Sequence, residues 1–222
     1  MQTKNLLWVG FFAIAMAYLE SAVVVYLRRL YGINNLFLQV PPFDPQIASI
    51  EVGRELATLI MLLSVGWVAG RRSQSRLGFA IFAFGLWDVF YYIWLRVFID
   101  WPQTLFSTDL LFLIPLPWWG PVLAPVLISI LMIVSGVAIV IKEAKGIPVR
   151  LLLSDWAILI IGVLFMLYAF MLDALKALPT NVHSLSQLRS SEFNWLVYLI
   201  GLGLAALFVF RLAKSAGTIN DV

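Results

Sequence analysis

The sequence predicts an all-α, polytopic integral membrane bundle of six transmembrane helices, and three observations carry that expectation. Of the 222 residues, 62% are hydrophobic and only 12% charged, against about 45–50% apolar and about 25% charged in water-soluble domains. Six stretches come close to or exceed the roughly 20 apolar residues that cross a hydrocarbon core about 30 Å thick. They cover residues 6–27, 47–70, 77–98, 121–141, 155–173 and 193–212. The basic residues gather mainly on one side of that map. No internal repeat is visible, so residues 1–222 read as a single transmembrane domain.

Lys4, the apolar run behind it and Ala15-Met16-Ala17 imitate a signal peptide with its small-residue cleavage site. The hydrophobic run continues through Val23-Val24-Val25, so the segment reads as an uncleaved first helix. The second span is conditional. Its uncharged part, residues 56–70, is too short to cross alone, and it spans only if Glu51, Arg54 and Glu55 belong to the same helix. The third, fourth and sixth spans are clear. Between the third and fourth, the apolar run 110–119 is too short to cross and is broken by Pro115 and Pro117. A re-entrant or interfacial segment is expected there, because irregular backbone survives at membrane depth only against protein or water. Ser154-Asp155 opens the fifth span as an N-cap pair. Asp173 reads as its solvated end, and His183 as a surface residue in a polar loop.

With six crossings, both termini and the 2–3 and 4–5 connections share a side. That side carries nine basic residues (Lys4, Arg71, Arg72, Arg76, Lys142, Lys145, Arg150, Arg211 and Lys214) against five on the other (Arg28, Arg29, Arg96, Lys176 and Arg189). The positive-inside rule then predicts a multi-pass cell-membrane protein with cytoplasmic N- and C-termini. The same bias explains the net charge of +3, so no nucleic-acid partner is expected. The expected partners are the lipid bilayer and either a second copy of the chain or a larger membrane complex. Gly66 with Gly70 and Gly201 with Ala205 have small-xxx-small spacing, read as ordinary packing within the bundle.

Composition also excludes chemistry. A chain without cysteine has no disulfide framework, thiolate metal site or cysteine nucleophile. One histidine rules out a bis-His haem within the chain. All five lysines sit at span ends, so a retinal Schiff base has no mid-membrane partner. The zinc-protease, serine-hydrolase and P-loop motifs are missing. Neither a metal nor a cofactor is expected.

The buried charges are the informative feature. A rise of about 1.5 Å per residue puts Glu20 about 9 Å, Glu55 about 12 Å and Asp88 about 14 Å below the outer surface. Three acids on three helices thus share one layer. A charge at mid-bilayer costs about 2.5–3.5 kcal/mol on the lenient insertion scale, so these groups must face one another or water. Glu51, Glu55 and Thr58 form one stripe of the second helix with Arg54 beside it; Asp88, Tyr92 and Arg96 follow along the third, with Tyr91 adjacent. Asp109, heading the interfacial run, could cap it or lean inward. The candidate binding residues are therefore Glu20, Glu51, Arg54, Glu55, Asp88, Tyr91, Tyr92, Arg96 and Asp109.

Two interpretations stay open: a structural ion-pair network, and an outward-opening pocket. The pocket would bind or translocate a cation, proton or small cationic solute, since carboxylates alone suit hard cations and amines better than zinc or copper. An intramembrane acid–base enzyme acting on a lipid or isoprenoid, isomerase- or cyclase-like, is the first alternative. An accessory subunit of a larger membrane complex is the second.

Overall fold

The computed structural model describes residues 2–30, 32, 45–112, 116–177 and 192–215. All six expected spans are helices: α1 (Gln2–Leu30), α2 (Pro45–Ala69), α3 (Ser73–Ile99), α4 (Leu123–Ala144), α5 (Leu153–Ala177) and α6 (Trp195–Lys214). Each is long and apolar enough to cross a membrane. α2 is continuous through Glu51, Arg54 and Glu55, which meets the condition set by its short uncharged part. α1, α3 and α5 run beyond their expected spans at both ends. Backbone hydrogen bonding does not stop at the hydrocarbon boundary, and Lys4, Arg29 and Lys176 can carry charged tips outward on apolar stems.

Among the described residues, the strands lie in the connection between α3 and α4. Its described residues form an antiparallel hairpin, β1 (Thr108–Leu110) with β2 (Trp119–Pro121), in which Asp109 lies opposite Gly120. Residues 113–115, in the middle of the apolar run expected to be re-entrant or interfacial, lie outside the described residues. So do His183 and Arg189 in the loop after α5. β2 is buried throughout, and Gly120 lies so close to Phe170 of α5 that a Cβ there would meet the ring at 2.8 Å.

α3 is the hub, packing against α1, α2 and α4, while α5 packs chiefly on α6. Small residues set these distances. A Cβ on Gly85 would lie 2.6 Å from the Ser129 carbonyl of α4, and one on Gly201 would lie 2.6 Å from the Gly162 carbonyl of α5. The Gly66 and Gly201 stripes therefore pack within the bundle, Gly66 against Ala80 of α3.

At the end of the bundle carrying the termini, side chains from one helix cap another. The Glu143 carboxylate accepts from the Ser75 backbone N–H at 2.6 Å and the Ser75 hydroxyl at 2.8 Å, closing the start of α3. Lys142 Nζ donates to the carbonyls of Leu212 and Ser215 at the end of α6, at 2.8 and 2.7 Å. Asp155 accepts from the Leu152 N–H at 2.9 Å and from Arg211 at 3.0 Å. Both charge signs sit where helix dipoles favour them. The opposite end is free for a site of its own.

Candidate functional site

Two charged groups occupy that opposite half, one between α1 and α2, the other between α3, α4 and the hairpin. In the first, the Arg54 guanidinium pairs with Glu20 of α1 and with Glu51 one turn back on α2, the latter at 2.8 Å. The Thr58 hydroxyl donates to Glu20 at 3.2 Å. Glu55 is buried and within electrostatic range of Arg54. Spacings of three, four and seven residues put Glu51, Arg54, Glu55 and Thr58 on neighbouring positions of one helix face. These side chains keep some access: Arg54 is 23% exposed, Glu51 16% and Glu20 12%.

The second group is closed. Asp88 accepts a hydrogen bond from the Ser129 hydroxyl of α4 at 2.8 Å. Asp109, 1% exposed, is paired through Oδ1 with Arg28 Nη2 from the last turn of α1 at 3.3 Å. The Arg28 guanidinium in turn lies over the Trp101 ring, 4.1 Å from its centroid. The Tyr92 phenol stands beside the Asp109 carboxyl. Tyr91 links the two groups, since it lies within electrostatic range of Arg28, Arg54, Asp88 and Asp109. Burial pushes the Asp109 carboxyl up to about 6, and Arg28, the Leu110 N–H and Tyr92 oppose that rise. Among the described residues, Asp109 Oδ2, Trp87 Nε1 and Trp118 Nε1 are buried without a hydrogen-bond partner.

Eight of the nine candidate residues thus fall in these two linked groups. Arg96 does not. It is half exposed and turned to the end of α3, where it pairs with Asp100 at 3.2 Å and donates to the carbonyls of Asp100 and Pro102. The cause is angular: eight residues of a 3.6-residue helix rotate a side chain by about 80° from Asp88. The expected layer is also divided. Glu20 joins Arg54 and Thr58 rather than Asp88, whose direct partner is Ser129.

Sequence reasoning missed Arg28 and Ser129. By sequence Arg28 is a charge beyond the outer end of its span, although Ser21, Val25 and Arg28 form an i, i+4, i+7 stripe facing α3. Ser21 donates to the Tyr91 carbonyl at 3.0 Å, and Val25 packs with Tyr92. Ser129 carried no signal within a uniformly apolar helix.

Among the described residues, no three His, Asp or Glu side chains stand close enough to hold a metal ion. The chain matches no protein-family model, no curated protein and no solved structure. What fold and site define is a class: a multi-pass α-helical membrane protein with buried carboxylates and guanidiniums on one half of its bundle.

Proposed function

We propose that this protein binds or translocates a proton, a cation or a small cationic solute through the carboxylate–guanidinium groups of α1, α2, α3 and the hairpin. One observation carries the reading: two buried carboxyl groups, Asp88 and Asp109, lie within electrostatic range of each other, with Arg28 as the guanidinium bonded to Asp109. Arg54, the other guanidinium nearby, is already engaged by Glu20 and Glu51. Burying an unbalanced charge costs several kcal/mol or more, so the surplus negative charge calls for a positive ligand. Exposure falls from 23% at Arg54 to 2% at the Asp109 side chain, which supports entry past α1 and α2.

The basic bias of the helix ends supports a cell-membrane location with cytoplasmic termini, and the site would then open outward. Reconstitution in proteoliposomes tests the function, using a panel of protons, sodium, potassium and methylammonium. Uptake of at least one of these is expected to fall in Glu55→Gln and Asp88→Asn. Flux of every panel member that is absent, or unchanged in both variants, rejects the reading.

A second reading has its own observation. Trp87, Tyr91, Tyr92 and Trp101 form a run of rings beside Asp88, with successive centroids 6.4, 4.9 and 6.3 Å apart. An acid protonating a lipid or isoprenoid double bond would use such ring faces to hold the carbocation. A new lipid product on expression, lost in Asp88→Asn, would select it over transport.

A further inference from the structure

We propose that Asp88 and Asp109 form one proton-binding unit, holding a single dissociable proton between them, and that this proton is the cation the site takes. The proposal rests on the cation-site reading above and names the ion. Its groundwork is the inventory of groups that face the pair. Arg28 comes from α1, Tyr91 and Tyr92 from α3 and Ser129 from α4, while Arg54 of α2 lies within range of Tyr91. Arg54 is committed to Glu20 and Glu51, which leaves Arg28 to balance two carboxyl groups.

One carboxylate and one guanidinium are balanced; two carboxylates are not, and like charges buried within range of each other disfavour ionisation of both. Binding one proton at a carboxylate oxygen removes the excess without any redox partner, and the proton belongs to the pair rather than to either residue. The bonding fits. Ser129 already donates to Asp88, whereas Asp109 Oδ2 is fully buried with no donor in hydrogen-bonding geometry among the described residues, the Tyr92 phenol standing beside the carboxyl. A metal ion fits less well, because no set of three ligating side chains is present among those residues.

Infrared difference spectroscopy of the purified full chain, titrated with acid and base, reads the protonated carboxyl stretch directly. The expected result is one such band that disappears in Asp88→Asn and in Asp109→Asn and persists in Glu55→Gln. Ser129→Ala, which keeps both acids, is expected to move the band without removing it, so the test does not depend on the Asp variants folding. No protonated-carboxyl band, or one indifferent to Asp88→Asn, Asp109→Asn and Ser129→Ala, overturns the proposal. Cation flux that depends on Asp88 without this band overturns the proton pair and leaves the cation site standing. The band without flux of any cation does the reverse.

Discussion

Arg28 on α1 reaches Asp109 on β1 at 3.3 Å, and Trp101 covers the guanidinium at 4.1 Å. The contact ties the first helix to the α3–α4 connection and aims a strand carboxylate into the bundle. Both side chains are largely withdrawn from solvent, at 12% and 2% exposure. Removing one partner of such a pair strands the other charge, at a cost of about 3–5 kcal/mol. Arg28→Gln is therefore expected to destabilise the protein by roughly that amount in detergent unfolding. Asp109→Asn should cost less, since Asp88 remains nearby as a second carboxyl group. In the double variant the two costs should be clearly sub-additive, as expected of contacting residues; simple additivity would show that the contact is not energetic.

Arg54 serves two carboxylates, whereas Glu20 keeps a hydroxyl donor in Thr58. Arg54→Gln should accordingly cost more than Glu20→Gln. The partial exposure of Arg54 reduces the penalty to about 1–3 kcal/mol. Chemical denaturation of the two variants side by side checks the order.

The raised Asp109 value makes stability depend on pH. The folded chain keeps this proton up to about 6, whereas the unfolded chain releases it near 3.9, the ordinary value to within about a unit. Folded protein thus binds more protons in that window, and stability falls as pH rises through it. Melting temperature is expected to decline from about pH 4 to about pH 6, with Asp109→Asn flattening this slope. Arg28→Gln should carry the window to higher pH by removing the opposing charge. A slope of the opposite sign at Asp109 would contradict the burial described.

Gly85 holds α4 close enough for Ser129 to reach Asp88: a Cβ there would sit 2.6 Å from the Ser129 carbonyl. Gly85→Ala should cost about 1–3 kcal/mol through overpacking and weaken the Ser129–Asp88 hydrogen bond as the helices part. Gly203 has nothing within 4 Å of its Cβ position, so Gly203→Ala should be neutral or slightly stabilising. Thermal unfolding of the pair separates packing from helix propensity.

Much of this architecture was legible because a hydrocarbon slab imposes one strong rule, the length of an apolar run. α2 is the instructive case: the charges that weakened its span signal are the residues of the site, held on a continuous helix by Glu20 and Thr58 across and along it. Position along each helix was legible too, since it follows from rise per residue alone. Rotation was not. α3 is apolar nearly all round, so no polar stripe announced that Asp88 faces α4 or that Arg96 turns outward. The hairpin was hidden for a related reason: prolines excluded helix from the connection but gave no strand register, and Asp109 could not be aimed without it.

Cation flux in proteoliposomes, compared between wild type, Asp88→Asn and Arg96→Gln, tests the functional core most directly. Arg96 lies on the same helix outside both groups, which makes it the internal control. Flux should fall by about tenfold or more in Asp88→Asn, the effect of losing about 1.4 kcal/mol of ligand stabilisation, and stay at the wild-type level in Arg96→Gln. Wild-type flux in Asp88→Asn, or an equal loss in both variants, would contradict a site built on Asp88.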